Sequence, residues 1–538
     1  MSKDTRIIIV NNVKLPINAS HKEAFIVARR RLSSLGVKVQ NSDCYIYRKS
    51  VDARRKTEIS FVYSVACKSE ADINDERLSK NGMARLLPGE LTPIISGNVT
   101  SAPPVVVGTG PAGLFAALLL AEHGYAPIVL ERGGSVKERH EAVRRLREFK
   151  ILDPNTNIQF GAGGAGTFSD GKLVTRVNDP LLSYVLSRFV EFGAPEDIKF
   201  IAKPHIGTDI LSVIVDRMLL HIESLGGKVL YNTKFLSVCS DGGVVKGVVT
   251  DKGEIDCSSV ILAIGHSARD TYEYLINAGF AVEPKPFSVG MRIEHRTEDI
   301  DRAMYGSFAG DPRLSHAEYA LSHNTKERGV YTFCMCPGGE VVAATSEEGG
   351  VVVNGMSENA RSGVNSNSAV VCSVFREDYG NTPISAIEFQ RKIERAAFTA
   401  GGSDYSAPII TVSDFLDGTL RREPKRIIPT YMNGNGVRLA RPESYLPEFT
   451  VNAIKGALSV FDKKIEGFAS ADAVLTGAET RTSAPIRILR NPETHLAVGF
   501  KNFYPAGEGA GYAGGISSAA LDGIKVALSL MKEIGPLK

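Results

Sequence analysis

Apolar positions along the first hundred residues fall into short extended runs and one helical stretch. Ile7-Ile8-Ile9-Val10 reads as a strand, and His21 to Leu35 carries helical spacing through Ala24, Phe25, Val27, Ala28 and Leu32, with Gly36 as the stop. Cys44 to Tyr47 and Ile59 to Cys67 read as strands, Asp72 to Leu78 as a helix and Ala84 to Leu87 as a last strand. The order β-α-β-β-α-β predicts a ferredoxin-like α+β unit over residues 1–97, with a Ser/Pro/Gly-rich linker at Ser96 to Pro104. From Val105 the pattern becomes β-α-β. Val105-Val106-Val107, Pro127 to Leu130, Lys228 to Tyr231, Val244 to Val249 and Ser259 to Ile264 are strand candidates. A strand, a Gly-rich turn and an apolar helix from Ile516 to Ile534 close the chain. The expected class is α/β. Residues 98–275 plus 462–538 form a Rossmann-type FAD/NAD(P)-binding domain, and 276–461 form an inserted α+β substrate domain. Within the insert, Ser357 to Ser373 is Asn- and Ser-rich and reads as a long loop.

Composition narrows the setting. The chain has 538 residues and a net charge of +3, too small to argue for nucleic acid or an anionic membrane. Its seven cysteines (44, 67, 239, 257, 334, 336, 372) show no zinc or secreted-disulfide spacing, so a reducing cytoplasm is expected. No apolar run reaches the length of a signal peptide or a membrane span. The basic turn from Arg48 to Lys56 also holds Asp52, with Glu58 beside it, which favours a solvated hairpin over a nucleic-acid patch.

The chemistry begins at Gly108-Thr109-Gly110-Pro111-Ala112-Gly113, between a buried strand and the helix Leu114 to His123. Gly108 permits the tight turn, Gly110 lets backbone approach a pyrophosphate, and Gly113 lets helix and strand pack closely. The helix N-terminus presents free N–H groups to phosphate. Glu131, ending the next strand beside Arg132, stands where an acid bonds adenosine ribose hydroxyls and disfavours a 2′-phosphate. A second such string, Gly161 to Gly166, leads into Thr167-Phe168-Ser169-Asp170-Gly171-Lys172 and not into an apolar helix. It reads as a loop packed on the same cofactor.

Two later segments select FAD over NAD. Ala263-Ile264-Gly265 ends a buried strand and resembles the second FAD-contact motif of glutathione-reductase-type flavoproteins. Gly507-Glu508 stands where those proteins have Gly-Asp holding a ribityl hydroxyl. Gly515 and Ile516 open a helix whose dipole can stabilise charge on a reduced flavin. Phe235 completes the expected cofactor set.

Five strings together carry a closer resemblance: Gly108 to Gly113, Gly166 to Lys172, Cys334-Met-Cys-Pro-Gly-Gly339, Glu479-Thr-Arg-Thr-Ser-Ala-Pro485 and Tyr504 to Gly515. With them the chain resembles a bacterial family of uncharacterised FAD-dependent dehydrogenases and, more distantly, geranylgeranyl reductases. The resemblance implies the fold and FAD, and supplies no substrate.

Candidates for catalysis are Lys172, Cys334, Cys336 and His266. Lys172 can polarise the flavin O2 or bind substrate. Cys334 and Cys336, two apart in an apparent strand, would point to one face; they are not CxxC, so a thioredoxin-reductase scheme is not indicated. His266 follows the Gly265 turn and can serve as acid or base. Arg292 and Arg481 are candidates for anchoring a substrate carboxylate or phosphate. The expected activity is hydride transfer between FAD and a small organic substrate, with NADH or NADPH binding only transiently because no second Rossmann unit is present. The alternatives are a flavin monooxygenase, an RNA-associated flavoprotein reading through residues 1–97, and a non-catalytic flavin-binding regulator.

Overall fold

Val105–Val107, three buried valines, is the middle strand of a five-stranded sheet. The order is Phe503–Pro505, Val260–Leu262, Val105–Val107, Ile128–Leu130, Lys228–Leu230, and every neighbouring pair is parallel. The strands are short and apolar, as expected where both faces are covered. In this computed structural model, which describes residues 6–71, 73–86, 91, 93–175 and 177–537, the helix Pro111–Glu122 crosses from the middle strand to its neighbour. That helix is apolar all round, with Ala112 to Ala121 buried, so it is a core element and not an amphipathic surface helix. It packs against the C-terminal helix Ile516–Glu533 at Gly523, where a Cβ would stand 2.0 Å from the Ala112 carbonyl oxygen. A three-stranded antiparallel sheet, Phe235–Asp241, Val244–Thr250 and Gly253–Asp256, joins the same apolar core through Phe235, Val245 and Val248.

The inserted region is built on a seven-stranded sheet. Its order is Ser322–Asn324, Gly329–Cys336, Asn365–Val374, Phe287–Arg296, Val474–Glu479, Ala407–Thr411, Val437–Leu439. Two expectations change here. Asn365–Val374 is an interior strand, not a loop, buried at nearly every position. Two of its asparagines are bonded to neighbouring strands: the Asn367 side-chain oxygen accepts from Arg292 at 2.8 Å, while its amide nitrogen has no partner among the described residues, and Asn365 donates to Glu294 at 3.2 Å. Polarity therefore misread a strand whose partners lie far away in sequence. The insert also extends past 461, because Val474–Glu479 pairs with Phe287–Arg296 and Ala407–Thr411.

These sheets lie in a unit made of Thr92–Val177, Ile206–Thr297 and Glu318–Lys538. A second unit takes in Met1–Leu91, Asn178–His205 and Glu298–Ala317. Its strands run Cys44–Asp52, Ser60–Ser69, Arg6–Pro16, Met83–Leu86, all antiparallel, with His21–Ser33 and Asp75–Lys80 as the intervening helices. That is the strand order of a ferredoxin-like unit. The expected starting residue Asp72 and end residue Leu87 lie outside the described residues. Residues 1–97 do not make this unit alone. Phe200 and Ala202 bond the edge strand at Lys49 (Lys49 N to Phe200 O 2.7 Å, Ala202 N to Lys49 O 2.8 Å), and Asp301 ties down Ala317 N at 2.7 Å. Among the described residues no helix is long and apolar enough to cross a membrane.

Candidate active site

The carboxyl ends of the parallel strands open into a cavity of about 410 Å³. Ligands bind at this edge of doubly wound sheets. Gly108 turns the chain there at φ +98°, and its α-hydrogen faces the Ala263 carbonyl; a Cβ would stand 2.4 Å from that oxygen. Gly113 is tighter still, since its Cβ would meet the Gly108 carbonyl at 1.9 Å. Gly113 therefore serves packing and does not line the cavity. Gly110, Pro111 and Ala112 do line it, as do Ala263, Ile264, Gly265 and Phe235.

Glu131 is engaged by protein donors. Its carboxylate accepts from Thr109 N (3.1 Å), Thr109 Oγ1 (2.5 Å), Gly133 N (3.0 Å) and Gly161 N (2.9 Å). A carboxylate has about four acceptor positions. Glu131 lines the cavity and also clamps the Gly161 loop onto the glycine turn. Arg132 is likewise tied to Asp270 at 2.8 Å, with its guanidinium stacked on Phe160.

The Gly161 loop lies across the turn. Gly164, at φ +63°, sits so close that a Cβ would fall 2.8 Å from Gly110 Cα. Gly166, Ser169, Asp170 and Lys172 reach the cavity. Thr167 and Phe168 are buried behind it, and Gly171 packs against Gly207; these three do not line the site.

At the far end, Gly514, Gly515 and Ile516 line the cavity and start the C-terminal helix. Gly507 supports them from outside, its N–H donating to Asp522 at 2.7 Å. Glu508 faces inward with one long hydrogen bond, from Gly515 N at 3.4 Å. Burial pushes its carboxyl up to about 7.

The insert supplies the remaining wall through Phe333, Cys334, Asn354, Glu479, Arg481 and Thr482. Lys172 donates to Asp170 at 2.7 Å and to the Met335 carbonyl. Asp170 is held in turn by Arg361 and by the Ser357 hydroxyl. Arg292 is wholly buried and spent on protein groups: Asn367, Asn354 (3.0 Å), Glu479 (3.1 Å) and the Cys334 carbonyl. It does not line the cavity, so it is no substrate anchor. It positions the strand. Burial raises the Glu479 carboxyl to about 7, against the pull of Arg292. Arg481 does line the cavity, but its guanidinium is shared between Glu394 (3.1 Å) and Ser346.

His266 reaches the cavity, and its tautomer follows from its neighbours. Ser267 Oγ gives its one proton to Gln159 Oε1 at 3.0 Å. His266 Nδ1, 2.9 Å from the same Oγ, must then be the donor, which leaves Nε2 as an acceptor. Burial, with Arg481 and Arg269 nearby, lowers its pKa to about 3. His266 is thus a neutral acceptor and not a protonated acid. Gln159, Thr233, Asn354, Glu479 and Thr482 also line the site and escaped the sequence reading. Only Glu479 and Thr482 lay within a string already singled out.

The cavity fits a dinucleotide flavin on two observations. The helices Pro111–Glu122 and Ile516–Glu533 both begin in it on a glycine with no side-chain cap, so their first N–H groups have no side-chain acceptor. Where Cβ atoms of Gly265, Gly514 and Gly515 would stand there is open space.

Comparison with known proteins agrees. Residues 286–482 match a family described as FAD-dependent protein, C-terminal domain-like. A protein of Clostridium beijerinckii (strain ATCC 51743 / NCIMB 8052), described as "Uncharacterized protein", is 43% identical over 535 residues, covering 97% of this chain and 98% of its own. Among solved structures, L-amino acid deaminase from Proteus vulgaris is 12% identical with a TM-score of 0.32, over 84% of this chain and 98% of its own. Glycine oxidase from Bacillus cereus ATCC 14579 is 10% identical, TM-score 0.32, over 80% and 95%. Likeness at that level transfers no activity. FAD is the cofactor, and the chain belongs to the family of the C. beijerinckii protein, with the FAD-dependent protein C-terminal domain spanning residues 286–482.

Proposed function

We propose that the protein is an FAD-dependent oxidoreductase that moves a hydride between the flavin and a small organic substrate or a nicotinamide donor. The observation that carries this reading is the single cavity shared by two uncapped glycine helix starts and a wall from the insert. FAD would supply a two-electron hydride acceptor and donor.

The chain's own residues have separate tasks. Gly110 and Ala112 would offer backbone N–H groups to the pyrophosphate, and Pro111, which has no N–H, starts the helix whose dipole favours it. The helix opening at Gly515 would favour negative charge on the reduced ring, and Glu508, half-protonated near neutrality, would give or take a proton beside it. His266 Nε2 accepts a hydrogen bond from whatever donor occupies its end of the cavity. Phe333 and Thr482 line the insert side. The cytoplasm is the proposed location.

Anaerobic visible spectra of the flavin-loaded protein test the proposal. Rapid bleaching with NADH or NADPH makes it a nicotinamide-driven reductase. Bleaching by an organic substrate instead makes it a dehydrogenase of that substrate. A flavin that no donor reduces contradicts the proposal, and oxygen uptake with a hydroxylated product would mark a monooxygenase.

A further inference from the structure

Cys334 and Cys336 do not stand as two residues of a regular strand. Pairing with Asn365–Val374 shifts register between Phe333 and Cys336, and Cys334 holds a left-handed φ of +45°, a conformation costly for any residue with a Cβ. In a regular strand, side chains two apart are separated by two rises of about 3.3 Å, too far for a disulfide. At the bulge that regular spacing is lost: Cys336 Sγ turns back to 3.4 Å from the Cys334 carbonyl oxygen, and the two thiols interact directly.

The surroundings make the pair asymmetric. Cys334 lines the cavity that also holds Gly515, Ile516 and Glu508, while Cys336 is fully buried behind it. Arg292 Nη2 donates to the Cys334 carbonyl and lies 3.9 Å from Cys336 Sγ. Lys172, bonded to the Met335 carbonyl, brings a second cation to the same three residues. The Cys336 thiol, then Arg292 and Lys172, lower the Cys334 thiol to about 6, and the same pairing raises Cys336. An accessible thiolate with a buried thiol behind it is the layout of an attacking and a resolving cysteine.

We propose that Cys334 and Cys336 are a redox-active pair that exchanges two electrons with FAD in this cavity, an inference that rests on the flavin reading above. On oxidation a bond forms between the two Sγ atoms and the Cys336 S–H bond breaks. Two electrons and that proton pass to oxidised FAD, giving FADH⁻. In the reverse direction reduced FAD opens the disulfide. The pair would thus store electrons between a donor and an acceptor that never meet at the flavin.

Anaerobic dithionite titration of the flavin-loaded protein, first treated with diamide, tests this. Wild type takes up two more electrons per chain than Cys336→Ser, and Cys334→Ser matches Cys336→Ser. Cys44→Ser keeps the Cys334–Cys336 increment, which separates it from the opposed buried thiols Cys44 and Cys67. Peptide mapping of oxidised wild type recovers residues 334–336 two hydrogens lighter and unreactive to iodoacetamide, with no variant required. Equal electron uptake by wild type and Cys336→Ser, or two free thiols in that peptide after diamide, overturns the pair. Because mapping is run equally on flavin-free protein, a protein that binds no FAD but closes the disulfide would sink the flavin reading and not the bond.

Discussion

Glu394 shows how much of the site's wall depends on one buried charge. It is 1% exposed and faces Arg269 at 2.7 Å and Arg481 at 3.1 Å. Losing one partner of a buried ion pair costs about 3–5 kcal/mol, because the charge left behind is unpaired; without Glu394, Arg269 keeps Glu347 at 2.5 Å and Arg481 is the charge left behind. Glu394→Ala should therefore lower stability by about that amount, read by urea denaturation; a loss of only a few tenths would show that Arg481 finds water instead. Glu508 gives a pH signature. Its folded pKa is raised from the ordinary 4.5 to about 7, so its stabilising share is fully present below 4.5 and is lost as pH rises through 7. Thermal midpoints of flavin-free wild type should fall more between pH 5 and pH 8 than those of Glu508→Gln. Equal slopes would remove Glu508 as a titrating group. Arg292 and Arg481 were legible as notable arginines, but not as structural ones, because their partners Glu479, Asn367 and Glu394 are fixed only by sheet pairing and helix docking.

The nucleotide-binding turn was legible from sequence because its constraints are local. Strand, glycines, helix and acid fall within one stretch, and Gly113 answers to the Gly108 carbonyl five residues before it; the partners of Gly108 and Gly110, Ala263 and Gly164, lie farther along the chain. The insert was not legible. Its strands pair over long separations, such as Phe287–Arg296 with Val474–Glu479, and its polar interior strand mimics a loop. The cysteine spacing likewise suggested regular alternation, which the bulge at Phe333 to Cys336 abolishes. Packing between the two glycine-capped helices yields a prediction at this scale. Gly523→Ala would place a methyl 2.0 Å from the Ala112 carbonyl and force the helices apart where both N-termini enter the cavity. We expect the variant to fold with reduced flavin retention on gel filtration. Full retention would show that the helix starts do not hold the cofactor together.

At the scale of the molecule, the chain leaves one unit and returns to it twice. Residues 178–205 and 298–317 belong with the N-terminal sheet, although they lie within the sequence of the flavin-binding and inserted parts. Such excursions carry no composition shift, which is why a single boundary near 97 was the natural reading. Deleting residues 1–97 removes the edge strand that Phe200 and Ala202 bond to at Lys49. The truncated protein should lose solubility or drop in thermal midpoint, and a truncation as stable as the full chain would show that the two returning segments stand by themselves. The central claim is that one FAD sits between the glycine starts at Gly110 and Gly515. Its most direct test is the flavin released per chain when the purified protein, incubated with FAD and desalted, is denatured. The account predicts one FAD per chain, whereas a protein that carries no flavin and takes up none would contradict it.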